Sequence, residues 1–236
     1  ERESSMRRKT KSLWIEAGCA LSIITLLFLF MLPKFFDAQN INNAKHFPDP
    51  FFQAAAEKFM EVLPGETYSA FEAAKKTGKI TCREDVIDIR GIEYFKPLTE
   101  IDYQRVPPQP SSRIDLSQNL QLKMILISGA QTSELILPHT DTVRELICNQ
   151  MGLTRLDVSF YPNLEKLACV ENRIQSLDLS RNPKLRELFC RHNQLAELDL
   201  THNPLLDTVF CVANPLKKLD TSKNPNLKTL VGFDRQ

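Results

Sequence analysis

Four cysteines, Cys148, Cys169, Cys190 and Cys211, stand 21 residues apart. A thiol can act as a nucleophile, a metal ligand, half of a disulfide, or a small buried apolar group. The chain has 6 Cys and no CxxC pair, so the spacing expected of zinc sites and thiol oxidoreductases is absent. The 4 His are His46, His139, His192 and His202. His192 lies beside Asn193 and His202 lies in "THNP". Each reads as a solvated turn residue without a facing carboxylate. GxSxG, HExxH and a glycine-rich phosphate loop are all missing. No catalytic residue, metal site or cofactor is therefore expected. An enzymatic role would require a catalytic domain beyond Gln236.

The elements that carry the cysteines repeat with them. Leu156, Leu177, Leu198 and Leu219 share the 21-residue spacing, as do Asn172, Asn193 and Asn214, and Pro162, Pro183, Pro204 and Pro225. The clearest copies are 156–176, 177–197 and 198–218. Copies 114–134 and 135–155 keep the register with altered polar positions, and 219–236 is a truncated sixth. A fixed period of this length means a solenoid, because one copy cannot bury its own apolar face. In a strand, alternate residues face opposite sides. Leu188 and Cys190 then face the core, and Phe189 and Arg191 face out. Coils about 4.8 Å apart place the four sulfurs in a column. A column is not a tetrahedron, and the separation exceeds the roughly 3.8 Å between disulfide Cβ atoms. The reading is structural packing. Asn172, Asn193 and Asn214 read as a ladder that satisfies backbone groups where each coil turns. Ala130 and Met151 replace that Asn upstream, so looser turns are expected there.

The pattern Leu-x-x-Leu-x-Cys-x-x-Asn-x-Leu resembles the leucine-rich repeat family over residues 114–236. The resemblance implies an α/β-type solenoid with one short strand per coil, stacked into a parallel sheet on the concave face. Residues 47–78, followed by "DIRGIEYFKPLTEID", resemble the helical N-terminal cap of internalin-like bacterial surface proteins. Where a related cap could carry an acidic calcium loop, this chain has "LPGETY", so no metal site is carried over. Within the cap, Asp49 and Pro50 read as N-cap and first helical residue. Phe51, Phe52, Ala55, Ala56, Phe59 and Met60 form one apolar face. Pro64-Gly65 is expected to end that helix. Ser69 with Glu72 predicts a capping box, and Gly78 the C-cap of a second helix.

Ahead of the cap, Arg7, Arg8, Lys9 and Lys11 precede an uncharged run from Ala17 to Leu32. With Leu13, Trp14 and Ile15 the stretch reaches the roughly 20 residues needed to span a bilayer. The expectation is one N-terminal transmembrane helix, a signal anchor, with the repeats extracytoplasmic. The alternative is a secreted chain released by signal cleavage. The expected division is a cytoplasmic basic tail (1–12), signal anchor (13–36), linker (37–46), helical cap (47–97) and repeats (98–236).

Net charge is +1, which gives no global electrostatic argument for nucleic acid. The expected function is a membrane-anchored protein-binding module, with a protein or a glycan as ligand. A structural spacer protein is the alternative. The outward residues flanking the cysteine positions make the candidate partner-binding face: Ile147, Ala168, Val170, Phe189, Arg191, Phe210 and Val212. Gly232 stands where the last copy should carry Cys, which predicts self-association through an open C-terminal edge around Leu227, Leu230 and Val231.

Overall fold

A computed structural model describes residues 46–232 except 65, 67, 83–85, 87, 112 and 133. The expected transmembrane helix lies outside the described residues. Among those described, no helix is long and apolar enough to cross a membrane.

Helix α1 spans Pro50–Met60. Asp49 caps it by accepting from Phe51 N and Phe52 N, and its second oxygen accepts from Asp88 N at 3.0 Å. The helix closes at Glu61, which adopts the left-handed conformation, three residues before the expected proline. Helix α2 is a single turn, Ala70–Ala73, with the capping box of Ser69 and Glu72 in place. Gly78 does not cap it. It opens strand β1, Gly78–Cys82, so the sheet begins inside the segment expected to be helical.

After a 3-10 turn at Ile92–Tyr94 come β2 (Leu98–Ser111), β3 (Ile114–Asp115), β4 (Met124–Thr132) and β5 (Leu135–Ile136). Strands β6 (Glu145–Ile147), β7 (Lys166–Ala168), β8 (Glu187–Phe189), β9 (Thr208–Phe210) and β10 (Thr229–Val231) follow at the repeat spacing. Eight strands form one sheet in the order β1-β2-β4-β6-β7-β8-β9-β10. Every pairing is parallel, and from β4 onward each residue lies opposite the one 21 positions on. Strands β3 and β5 pair separately.

The core is one continuous column of Leu, Ile, Val and Cys, closed at one end by Phe47, Phe52, Tyr68 and Phe95. Cys148, Cys169, Cys190 and Cys211 are at most 1% exposed. Burial pushes the Cys148 thiol up to about 12 and raises Cys169, Cys190 and Cys211 above their ordinary value. All four are expected to resist thiol reagents at pH 8 in the folded protein and to react fully after denaturation without reductant. The denatured chain has 6 thiols, so fewer than six reactive ones would mean a bridge. Cys190→Ser should cost about 1–3 kcal/mol, because it buries a hydroxyl in an apolar column.

The asparagine ladder is present. Asn193 Nδ2 donates to Cys169 O and Cys190 O at 2.8 and 3.0 Å, and its Oδ1 accepts from Ile174 N at 3.0 Å. Asn172 and Asn214 do the same one coil to either side. The looser upstream turns are not found. Met151 is fully buried, and its N–H donates to Asn172 Oδ1 of the next coil. At Ala130 no turn forms, because β4 continues to Thr132. It does so around a bulge in β2, where Gly129 (φ +71°) stands so close to Arg105 that a Cβ would fall 1.9 Å from its carbonyl oxygen.

A second ladder runs beside the expected one. Asn182, Asn203 and Asn224, the residues before the repeat prolines, are buried and donate to carbonyls of the preceding coil. Asn119 makes the equivalent bonds to Ile92 O and Phe95 O, which ties the cap to the repeats. The 21-residue spacing of these asparagines is the signal that could have found them.

Candidate functional site

The parallel register arranges the outward side chains of the sheet in rows. One row runs Asp102, Leu126, Ile147, Ala168, Phe189, Phe210 and Val231, each paired with the next. From Leu126 onward it is apolar. Phe189 and Phe210 stack with ring centroids 5.3 Å apart and planes at 22°. Both rings are half-buried, as is Ile147, whereas Val212 and Val231 are 36% and 38% exposed. Ala168 and Val170 also belong to outward rows but are 6% and 8% exposed. Ala168 is short and sits between Ile147 and Phe189. Arg191 is exposed two residues beyond Phe189. Phe233 lies outside the described residues.

The flanking row is Glu100, Met124, Glu145, Lys166, Glu187, Thr208 and Thr229. Lys166 bonds Glu187 at 2.9 Å and places its ammonium 5.5 Å from the Phe189 ring centroid. A cation over an aromatic face holds both in place. Arg144–Glu165 at 2.8 Å and Gln150–Glu171 at 2.7 Å link neighbouring coils on either side. The strip is therefore apolar, with a rim of both signs. Leu126 and Met124 were not anticipated as part of it. Their 21-residue offset from Glu145 and Ile147 was the signal.

Beyond the rim, Gln150, Glu171, His192 and Ala213 all turn the chain with φ between 54° and 56°. Such a left-handed turn strains every residue but glycine. Ala213 is exposed and has no polar side chain to lose, so Ala213→Gly is expected to stabilise the fold by about 1 kcal/mol, read from the urea midpoint. A lower midpoint would contradict this. Among the described residues no group of three His, Cys, Asp or Glu could hold a metal ion.

No protein-family model matches the chain, and no curated protein sequence matches it. Solved structures do. Internalin C2 of Listeria monocytogenes is similar over 82% of this chain and 98% of its own, at 15% identity and a TM-score of 0.57. InlP of the same organism is similar over 78% of this chain and 64% of its own, at 16% identity and a TM-score of 0.54. TLR13, in its complex with the RNA ssRNA13, is similar over 66% of this chain but only 25% of its own, at 20% identity and a TM-score of 0.52. The parallel sheet, its coil-to-coil register and these likenesses agree: the chain has the leucine-rich repeat fold found in the internalins.

Proposed function

We propose that this chain is a protein-recognition module of a bacterial surface, held by its N-terminal segment, with the sheet face as its binding surface. The observation that carries the reading is the stacked pair Phe189–Phe210 within an apolar row that crosses six strands. Aromatic anchors inside a polar rim are the usual anatomy of a recognition surface. A contiguous patch carries more meaning than scattered exposed hydrophobes. The binding residues would be Ile147, Phe189, Arg191, Phe210 and Val212, with Ala168 and Val170 forming the floor. Charge argues for a protein over RNA, since the rim mixes acids and bases and the net charge is +1.

A photo-crosslinking residue at position 210 should trap the partner, and one at Arg181, an exposed turn position of the same coil set, should not. Equal trapping at both would contradict recognition by the sheet face. For the anchor, a reporter fused after Gln236 should be active only when it is of a kind that works outside the cytoplasm. Cytoplasmic activity would overturn the topology, and release of a shortened chain would favour secretion.

A further inference from the structure

Helix α1 carries more apolar surface than the core takes up. Phe52 and Ala56 are fully buried, whereas Phe51 is 55% exposed. Phe51, with Ala55 and Phe59, which also pack against the core, lines a groove of about 810 Å³ whose opposite wall is β1. Phe59 reaches that wall, its Cε2 lying 3.5 Å from where a Cβ on Gly78 would stand. Strand β1 ends the eight-stranded sheet, and no described strand pairs with its outer edge. An edge strand presents a row of peptide N–H and C=O groups with which another extended chain can pair. Lys58, Lys76 and Lys79 line the groove against the carboxylates of Glu61 and Asp102, which leaves Lys58, among the described residues, as the groove cation outside an ion pair. Glu61 bonds Lys76 at 2.7 Å, and Lys79 bonds Asp102 at 2.8 Å.

We infer that this groove and the outer edge of β1 accept an extended segment of a partner protein in which apolar and acidic residues alternate, added to the sheet as one more strand. The pleat dictates the alternation, since successive side chains of an added strand face opposite sides. Those on the helix side meet Phe51, Ala55 and Phe59. Those on the other side lie beside Lys79 and Thr81, the exposed residues of β1. Main-chain bonds supply affinity in strand addition, and the side-chain surfaces select the sequence. This surface is separate from the aromatic strip, because β2, β4, β6 and β7 lie between β1 and β8.

The test uses the full chain and a labelled eight-residue peptide alternating valine and glutamate, followed by fluorescence anisotropy. The glutamate peptide should bind at least tenfold more tightly than its valine–lysine counterpart. N-methylation of alternate peptide nitrogens along one edge should abolish binding. Phe51→Asp should weaken it at least tenfold with an unchanged circular dichroism spectrum, because an acid is favourable in the first turn of a helix. Phe189→Glu should leave it unchanged. Equal binding of the two charge types, no binding, or full binding of the N-methylated peptide would overturn the inference. A concentration-dependent dimer of the unliganded chain that Phe51→Asp dissolves would assign the edge to a second copy and also overturn it.

Discussion

Asn193→Ala is expected to destabilise the protein by about 3 kcal/mol, while Asn214→Ala, one coil later, costs about 1 kcal/mol. Both asparagines make the same kinds of bond, so chemistry alone predicts equal losses. Asn193 is 7% exposed between two complete coils, and removing its amide strands Ile174 N where water cannot replace it, while Cys169 O and Cys190 O each keep one bond, from Asn172 and Asn214. Leaving a buried donor unpaired costs about 1–3 kcal/mol, and the loss of two further bonds places Asn193→Ala at the upper end of that range. Asn214 is half-exposed, so water can take over its bonds to Leu195 N and Cys211 O, and Cys190 O keeps its bond from Asn193. Urea unfolding of the two variants measures the difference. Equal losses below about 1 kcal/mol would mean that the ladder does not hold the coils together.

The repeat is legible in the sequence because each coil solves the same packing problem with the same residues. Cys148, Cys169, Cys190 and Cys211 occupy one inward position, and their recurrence alone identifies both the period and the face. The Asp49 cap and the Ser69–Glu72 box are legible for a different reason, since both depend on contacts within a few residues. What depends on distant partners is hidden. Gly78 looks like a helix end in isolation and becomes a strand only because β2 lies beside it, with Lys79 opposite Glu100. Phe51 and Phe52 are equally apolar, and only the placement of β1 decides that one is buried and the other faces a groove. The step from β2 to β4 is 24 residues at Glu100–Met124 and 21 at Gln109–Ala130, so the bulge masks the period there. On the candidate face, Ile147, Ala168, Phe189 and Phe210 fall in one register row, but alternation does not give their exposure. Ala168 and Val170 point outward and are still covered, because exposure also depends on the size of the neighbours.

The double change Phe189→Glu with Phe210→Glu tests the sheet-face reading most directly. Both rings project from the outward row and stack on each other at 5.3 Å, so the fold loses chiefly their mutual contact. Such a pair contributes about 0.5–1.5 kcal/mol beyond its buried area, which an intact solenoid core tolerates. A partner that seats both rings loses much more. Aromatic anchors at the centre of an interface each contribute about 2 kcal/mol or more, and every 1.4 kcal/mol is tenfold in affinity. Two of them, replaced by carboxylates beside Glu187, predict a loss of more than 100-fold. The measurement is the affinity of immobilised chain for the protein it retains from its native surroundings, alongside its circular dichroism spectrum. The account predicts an unchanged spectrum with binding weakened more than 100-fold. A folded double variant that binds as the wild type does would contradict it.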